Sequence, residues 1–454
     1  MASQSTESTI LGHPKGLFIL FFTEMWERFS YYGMRALLML YMTQYLLLDP
    51  EKAKSVLGYN SLASFLQSIF GTLDVQPMAS QLYGLYTGFV YFTPFFGGIL
   101  ADRILGQKKT VYLGGTLMAI GHFLMASEQM FLLALFFLIL GNGAFKPNIS
   151  TQVGGLYADG DPRKDGAYTI FYMGINLGAF FSPLICGTLG QVYGWHYGFG
   201  AAGIGMILGL VVYHLGRNLL PDDRITKMNK SHEVSHEKLT TDEINRIISL
   251  VVLCMGCAIF WAIFEQQGNT LQLWADEKTN WTFLGIDIPS TWYQSFNPAF
   301  IFMFAPLLNM WWEKGIVQGK STSSVRKMGI GCMLCGVAFI VMIIASKVVG
   351  EEPGVKGSLL WLALTTWIFT MGELYLSPIG LSLVSKVAPR RMLSMMMGMW
   401  FLSSFIGNYL GGYIGSFYSV MSKDSFFLLL CVMGIVTGLL FILSEKLIVK
   451  HVGK

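Results

Sequence analysis

Four ionisable residues interrupt an apolar stretch near the start of the chain. Between 17 and 47 every residue is apolar, aromatic or uncharged except Glu24, Glu27, Arg28 and Arg35. At about 100° per residue these four fall, with Tyr31, within one wedge of a helix about 100° wide. Carboxylates beside cations can take up and release protons as their partners change. The stripe is therefore a candidate for proton chemistry.

The cost of burying charge explains where this stripe must face. A charge at the centre of a bilayer costs roughly 2.5–3.5 kcal/mol, so charged residues within membrane spans face protein or water and usually serve a function. We therefore expect the stripe on the first apolar segment to face the protein interior or a water-filled cavity.

Four further ionisable residues or clusters lie at membrane depth in other segments, one of them the pair Asp102-Arg103 nearer the cytoplasmic end of the second span. Each could be a structural salt bridge by itself, but the set is too large for scaffolding alone. Lys146 stands in the fourth predicted span, Glu265 in the seventh and Glu373 in the tenth. Arg35 and Lys146 thus lie in the first half of the chain, and both glutamates lie in the second. A zwitterion with a carboxylate and an amine needs one cationic and one anionic pole. This distribution predicts a zwitterionic ligand that bridges the two halves.

Aromatic residues accompany these charges along the chain. Tyr31 and Tyr32 lie on the charged helix, Tyr91 lies in the second span, Trp261 lies one turn before Glu265, and Trp400 lies in the eleventh span. Such residues are usually ordinary core. Beside buried charge, they can instead line pockets that accept varied side chains.

The composition indicates an all-α polytopic membrane protein. Of 454 residues, 53% are apolar and only 13% are charged, whereas soluble domains carry about 25% charged residues. About twenty apolar residues cross a bilayer. Twelve segments are long enough: 16–47, 79–101, 110–127, 130–150, 166–190, 196–219, 244–268, 291–313, 325–347, 357–387, 391–419 and 424–446.

The distribution of Lys and Arg predicts the orientation. With the N-terminus inside, the cytoplasmic connections hold 22 of these residues and the outer connections hold six. This bias places both termini in the cytoplasm. It also accounts for the net charge of +4, so no nucleic-acid partner is expected. We expect a bacterial inner membrane from the short termini and the lack of an outer domain, with the lipid bilayer as the surrounding partner and no obligate protein partner evident.

A polar linker divides the chain. Residues 220–243 separate an N-terminal half of six spans, 1–219, from a C-terminal half of six spans, 244–454. Two six-helix halves joined by a basic cytoplasmic linker are the layout of a major-facilitator transporter, whose substrate site lies between the halves near the midplane. Two long outer connections, 48–78 and 269–290, have room for a short helix or an ordered loop.

Two patterns resemble metal motifs but lack their context. His232 to His236 match the zinc-protease pattern HExxH, yet they lie in the polar linker without the surrounding domain that this chemistry needs. Two CxxC pairs, at Cys254 and Cys332, are farther apart than zinc pairs usually are. Within apolar helices, Cys behaves as a small hydrophobe. We therefore expect no metal, no catalytic residues and no cofactor beyond the proton as coupling ion.

Other notable residues have structural interpretations. The acidic loop with Arg163 and Lys164 predicts a salt bridge rather than a calcium site. For His122, alone in the third span, we expect a packing histidine with its hydrogen bonds satisfied, and a proton relay is the minor alternative. Proline removes a backbone hydrogen bond, so prolines within the spans are expected bending points. The acidic residues of the loop are Asp159, Asp161 and Asp165, and the prolines are Pro94, Pro147, Pro183, Pro306 and Pro378.

At the level of motifs, the chain resembles the proton-dependent oligopeptide transporters. Residues 24–33 match the ExxERFxYYG motif of that family, and 171–178 match its FYxxINxG signature. The segments GNGAFKPNIS, FWAIFEQQG and GELYLSPIG are similar to its fourth, seventh and tenth helices. The loop that contains Asp102 and Arg103 is similar to the wider major-facilitator loop. The resemblance covers nearly the whole chain.

The resemblance implies a role for each matching residue. Arg35 and Lys146 would hold the peptide carboxylate and Glu373 the amino terminus. Pairing of Glu265 with Arg35 would close the outer side, and pairing of Lys146 with Glu373 the inner side. Proton coupling would involve Glu24, Glu27, Arg28, Lys146 and Glu265. The other substrate contacts would come from Tyr31, Tyr32, Tyr91, Asn176, Trp261, Asn297 and Trp400.

The linker distinguishes this chain from many bacterial members of that family. It is too short and too polar for the two additional helices that those members carry between the halves. Twelve spans are therefore expected, and the transport site is unaffected.

These observations favour a symporter that imports di- and tripeptides by alternating access, with the peptide between the halves. Three alternatives remain open from the residues alone. The first is a transporter of the same fold for nitrate or an amino-acid derivative, against which Glu373 argues because an inorganic anion has no amine. The second is an intramembrane enzyme that uses the HExxH pattern. The third is a peptide-sensing receptor without flux.

Overall fold

The computed structural model describes residues 9–158, 160–223, 240–318, 322–388 and 392–452. Within these ranges the chain is almost entirely helical. The helices of the first part are α1 Lys15–Tyr41, α2 Pro50–Ser55, α3 Tyr59–Phe70, α4 Val75–Phe92, α5 Pro94–Leu100, α6 Gln107–Leu124, α7 Phe131–Gly155, α8 Lys164–Ser182 and α9 Trp195–Gly216. Those of the second part are α10 Thr241–Phe264, α11 Thr270–Lys278, α12 Phe296–Val317, α13 Ser324–Val349, α14 Leu360–Val387, α15 Leu393–Gly415 and α16 Lys423–Val452.

The strands in the described ranges form two short antiparallel hairpins. In the first, β1 Thr9–Ile10 pairs with β2 His13–Pro14. In the second, β3 Thr282–Phe283 pairs with β4 Ile286–Asp287. The turns need backbone in the left-handed region, which Leu-Gly supplies in both hairpins.

The predicted segments correspond to helices throughout. A helix overlaps each of the twelve segments, and the two long connections contain α2, α3 and α11, as their length suggests. By length and composition, seven helical stretches in the described ranges can cross a membrane. The total of twelve spans therefore stays a prediction.

Two of the prolines predicted as bending points mark breaks in helices. Pro94 begins α5 one residue beyond the end of α4, with Thr93 between the two helices, and Pro183 begins a π-helical turn at the end of α8. Proline lacks the backbone N–H and cannot continue the hydrogen-bond pattern of the preceding turn. Pro147 and Pro306 lie inside continuous helices instead.

The chain folds as two compact units that do not follow the order of the sequence. Unit 1 comprises Met1–Tyr41, Asp49–Phe65 and Thr93–Met228. Unit 2 comprises Met42–Leu48, Leu66–Phe92 and Asn229–Lys454. Helix α4 thus belongs to the same compact unit as α10 to α16. The division into halves at 219 and 244 stays a prediction from the linker.

Glycines allow α1 to lie close to its neighbours in unit 1. A Cβ built on Gly178 of α8 would collide with the carbonyl oxygen of Met25, and one on Gly205 of α9 would lie 2.6 Å from the Phe29 ring. Because helices pack this closely only where side chains are small, these glycines bring the backbones of α8 and α9 against the charged helix.

In unit 2, glycines likewise bring α15 against two neighbours. A Cβ on Gly84 of α4 would lie 2.7 Å from the Cα of Gly412, and one on Gly407 would lie 2.6 Å from the carbonyl oxygen of Ala258 on α10. One face of α15 therefore packs on α4 and another on α10.

A salt bridge fixes the connection between α7 and α8 in unit 1. Arg163 pairs with Asp161 at 2.7 Å and donates to the carbonyl oxygen of Gly12 at 2.9 Å, which ties the first hairpin to this loop. Hydrogen bonds from Arg163 lower the pKa of Asp161 to about 2. The acidic loop is therefore a salt-bridged connection, as expected, although Asp159 lies outside the described residues.

The two metal-like patterns have different outcomes. The HExxH pattern of residues 232–236 lies outside the described residues. The four CxxC thiols are buried within α10 and α13 and are free, in agreement with the hydrophobic role expected of them. No group of three or more His, Cys, Asp or Glu that could hold a metal occurs in the described part of the chain.

Candidate functional site

The charged stripe of α1 is buried in unit 1 as a cluster of ion pairs. Glu24, Glu27 and Arg28 are at most 2% exposed. Nε of Arg28 lies 3.2 Å from Oε1 of Glu24 and also contacts Oε2 of Glu27, while Nη2 donates to Oε1 of Glu27 at 2.7 Å. This confirms that the stripe faces protein. The guanidinium of Arg28 therefore pairs with both carboxylates inside the protein, where lipid does not reach them.

Helix α7 completes this cluster with an amide and a cation. Asn142 is buried and donates an Nδ2 hydrogen to Oε1 of Glu27 at 3.3 Å. One turn later, Lys146 is attracted by Glu24 and Glu27 and repelled by the two arginines of α1. The structure thus brings together the four residues predicted for proton coupling in this half of the chain.

The second oxygen of Glu24 distinguishes this carboxylate from its neighbour. Oε2 of Glu24 is buried and has no hydrogen-bond partner among the described residues, whereas both oxygens of Glu27 accept hydrogen bonds. Burying an ionised carboxylate costs more free energy when one of its oxygens accepts no hydrogen bond. Glu24 is therefore the carboxylate of this cluster best suited to carry a proton.

Two tyrosines of α1 lie beneath the guanidinium groups. Arg28 lies 5.2 Å from the ring centroid of Tyr31, and Arg35 lies 5.9 Å from that of Tyr32. The two rings contact each other edge to face at 5.1 Å. Cation–π contacts of this length stabilise a cation in a dry environment. Arg35 is buried as well, so the aromatic pair sets the surroundings of both cations.

Asn176 of α8 is buried but bonded within its own helix. Its Nδ2 donates to the carbonyl oxygen of Tyr172, one turn earlier, at 3.0 Å. Its substrate role stays a prediction.

In unit 2, Glu265 lies where α10 gives way to a 3₁₀ turn, Glu265–Gln267. The carboxylate is 1% exposed and accepts a hydrogen bond from the hydroxyl of Tyr83 on α4 at 3.1 Å. One turn earlier, the Trp261 ring stacks on Tyr91 of α4 with centroids 6.4 Å apart and planes at 27°. The structure thus places three predicted site residues on two helices of unit 2: Tyr91 on α4, Trp261 on α10 and Glu265 at the end of α10.

Glu373 of α14 is paired with Asn297 of α12. Nδ2 of Asn297 donates to Oε2 of Glu373 at 2.8 Å and contacts the hydroxyl oxygen of Thr370 at 3.0 Å. Both residues are half-buried, so the pair has access to solvent or ligand. An anionic oxygen beside amide and hydroxyl groups can receive an ammonium group. Trp400 of α15 is also half-buried.

Two residues that contact the predicted carboxylates are not predicted as site residues from the sequence. These are Asn142, which donates to Glu27, and Tyr83, which donates to Glu265. A signal is present for both. Asn142 precedes Lys146 by one turn, and Tyr83 lies on the polar face of α4 that includes Ser80.

The expectation for His122 is wrong in one respect. The residue is buried on α6, as a packing histidine would be. However, neither ring nitrogen has a hydrogen-bond partner among the described residues, so its hydrogen bonds are not satisfied there.

Comparison with known proteins places these features in a family. The family model described as PTR2, the POT family, matches residues 108–237 and 222–429. The chain belongs to the POT family.

Individual relatives span nearly the whole chain. The uncharacterized transporter YclF of Bacillus subtilis (strain 168) is 34% identical over 99% of this chain and 98% of its own length. The di-/tripeptide transporter of Lactococcus lactis subsp. cremoris is 32% identical with the same coverage. A crystal structure of the peptide transporter POT in complex with sulfate is 31% identical, covers 99% of this chain and 98% of its own, and superposes with a TM-score of 0.84.

Family membership settles the fold and the broad class. The protein is an all-α integral membrane protein with the major-facilitator fold of the POT transporters. It is a member of a family of transporters and not an enzyme, so the intramembrane enzyme is excluded.

Proposed function

We propose that this POT-family protein is a proton-coupled symporter that imports di- and tripeptides by alternating access, with each peptide contacting residues from both sequence halves. The proposal of proton coupling rests on the buried cluster in which Arg28 pairs with both Glu24 and Glu27. In this cluster one oxygen of Glu24 has no hydrogen-bond donor among the described residues. The di-/tripeptide transporter of Lactococcus lactis supports the substrate class.

Peptide recognition rests on two poles of opposite charge. Arg35 and Lys146 supply cations for the carboxylate of the peptide, and Glu373 with Asn297 supplies an acceptor for its amino group. A nitrate ion has no group that could use Glu373, so the second pole favours peptides. The proposed contacts are completed by Tyr31, Tyr32, Tyr91, Asn176, Trp261 and Trp400.

Proton coupling rests on exchange of partners around Arg28. A proton on Glu24 would neutralise one of the two carboxylates that hold the guanidinium, and Lys146 would then interact mainly with Glu27. One pH unit supplies about 1.36 kcal/mol per proton, and 100 mV supplies about 2.3 kcal/mol per charge. The pH gradient and the membrane potential together drive accumulation of peptide if proton and peptide must both bind before the two halves change conformation.

The proposal includes the cellular setting. The bias of Lys and Arg supports an orientation with both termini in the cytoplasm. The relatives from Bacillus subtilis and Lactococcus lactis support a bacterial inner, or plasma, membrane. The proton is the coupling ion, and the proposal needs neither a cofactor nor an obligate protein partner.

The test is uptake of labelled di-alanine into liposomes that contain the purified protein, with and without an inward proton gradient. We expect accumulation above equilibrium that collapses when a protonophore is added. Equilibration that ignores the gradient would contradict proton coupling. Absence of flux for any di- or tripeptide, in protein shown to be folded, would contradict the substrate class and favour a receptor or another substrate.

Replacing Glu24 separates coupling from transport. Glu24→Gln should reduce gradient-driven accumulation about tenfold or more, because the amide cannot exchange a proton, while peptide exchange across the membrane continues. Both rates are measured in the same liposomes. Asp242→Asn is the matched control, since this carboxylate forms an exposed pair with Arg246 on α10. If Glu24→Gln kept gradient-driven uptake and lost exchange, the proton role of Glu24 would be wrong.

A further inference from the structure

The carboxylate of Glu265 is held by a tyrosine that belongs to none of the matching motifs. The Tyr83 hydroxyl donates to Oε2 of Glu265 at 3.1 Å, and both side chains are at most 1% exposed. The two residues are 182 positions apart in the chain. A hydrogen bond to an ionised acceptor is roughly twice as strong as one between neutral groups, so this contact orients the carboxylate.

The backbone of Glu265 is fixed independently of its side chain. The neighbouring Gln266 donates its amide hydrogens to the carbonyl oxygens of Ala262 and Gly411, at 3.0 and 2.8 Å. The Thr270 hydroxyl donates to Oε1 of Gln266 at 2.8 Å. These bonds pin the 3₁₀ turn against α10 and α15, so the freedom left to Glu265 is the rotation of its side chain.

Helix α4 is in turn held in register with this turn and with α15. The Ser80 hydroxyl donates to Oδ1 of Asn269 at 2.8 Å, and the Gln76 amide donates to the carbonyl oxygen of Gly415 at 2.9 Å. The backbones of α4 and α15 also meet closely at the glycine contact described above, which hinders rotation of one helix against the other. Tyr83, three residues after Ser80, is therefore presented to the turn by a rigid contact.

We infer that Tyr83 is a positioning residue for Glu265 that ties the orientation of this carboxylate to the contact between α4 and the 3₁₀ turn. The inference rests on the proposed function, in which Glu265 takes part in proton coupling. Because these contacts hold α4 on the turn, the Tyr83 hydroxyl satisfies one oxygen of Glu265 and fixes the orientation of its carboxylate. Tyr83 thereby sets the geometry in which Glu265 would exchange a proton.

Removing only the hydroxyl tests this role. Tyr83→Phe should reduce gradient-driven uptake of di-alanine about tenfold, which corresponds to loss of one hydrogen bond to a charged group, while peptide exchange changes less than about twofold. Tyr418→Phe is the matched control. Tyr418 is a buried tyrosine of the same unit whose hydroxyl has no hydrogen-bond partner among the described residues, so this variant should match the wild type in both assays.

A double variant asks whether Tyr83 acts through Glu265. Glu265→Gln combined with Tyr83→Phe should be no worse in gradient-driven uptake than Glu265→Gln alone, because the hydroxyl then has no carboxylate to orient. An infrared difference spectrum supplies a readout that does not depend on flux. The carboxyl band that disappears in Glu265→Gln should shift in Tyr83→Phe and stay in place in Tyr418→Phe.

Three results would overturn the inference. The first is uptake by Tyr83→Phe equal to the wild type, with an unshifted carboxyl band. The second is an equal fall of uptake and exchange with loss of folded protein, which would indicate a packing role only. The third is additive loss in the double variant. If the wild type itself transports no peptide, the proposed function fails, and the infrared band still decides whether Tyr83 orients Glu265.

Discussion

Replacing Arg28 with methionine should lower the free energy of unfolding by about 3–5 kcal/mol and abolish peptide uptake. The substitution leaves Glu24 and Glu27 buried without the cation that contacts both of them. The desolvation cost of the two buried carboxylates then exceeds the attraction that Lys146 still supplies, and loss of one partner of a buried pair typically costs this amount. Unfolding by sodium dodecyl sulphate in mixed micelles measures the change.

The control for Arg28→Met is the same substitution at Arg246. Arg246 and Asp242 form an i,i+4 pair at 2.7 Å, like Arg28 and Glu24, but their side chains are 43% and 58% exposed. Exposed pairs contribute about 1 kcal/mol or less, so Arg246→Met should change the stability little. Equal losses at both positions would contradict a role for burial.

A triple variant distinguishes charge from packing at the same place. Glu24→Gln, Glu27→Gln and Arg28→Met together remove the charges of the ion pairs, and such replacement is often neutral for stability. We expect part of the stability lost in Arg28→Met to return, because Lys146 keeps its charge without the two carboxylates that attract it, while gradient-driven uptake stays absent. If the triple variant were as unstable as Arg28→Met, the loss would come from packing of the Arg28 side chain.

Replacing Gly178 with alanine should destabilise unit 1 by about 1–3 kcal/mol and reduce uptake at least about tenfold. The added methyl group would collide with the carbonyl oxygen of Met25 and lie 2.9 Å from the backbone nitrogen of Phe29 and 3.0 Å from Cβ of Arg28. Backbone atoms cannot move aside as a flexible side chain can, so α8 must shift away from α1. That shift loosens the packing of α8 beside the buried Arg28. Unfolding in mixed micelles and di-alanine uptake measure the two effects.

Gly200 of α9 provides the comparison for Gly178→Ala. A Cβ at Gly200 meets nothing within 4 Å, and alanine is favoured over glycine within a helix by about 1 kcal/mol. Gly200→Ala should therefore be neutral or slightly stabilising in the same detergent titration and should keep full uptake. Normal stability and uptake in Gly178→Ala would show that α8 can move without disturbing the ion pairs.

The helical architecture could be predicted from the sequence because its signals are local. Hydropathy over about twenty residues locates each apolar segment, and the angle of about 100° per residue places Glu24, Glu27 and Arg28 on one face without knowledge of any neighbour. The cost of exposing charge to lipid then requires this face to be buried, as it is. Family membership followed from motifs that are contiguous in the chain.

The partners of the buried groups were decided only by the tertiary structure. Asn142 is 115 residues from Glu27, and Tyr83 is 182 residues from Glu265. These contacts depend on the distance and register between helices, which glycines such as Gly178 set through packing with helices remote in sequence. The same reason explains why the ring of His122 on α6 has no hydrogen-bond partner in the described part of the chain, and why α4 lies in unit 2. A residue type shows which hydrogen bonds a side chain can form, whereas the packing of helices determines which of them exist.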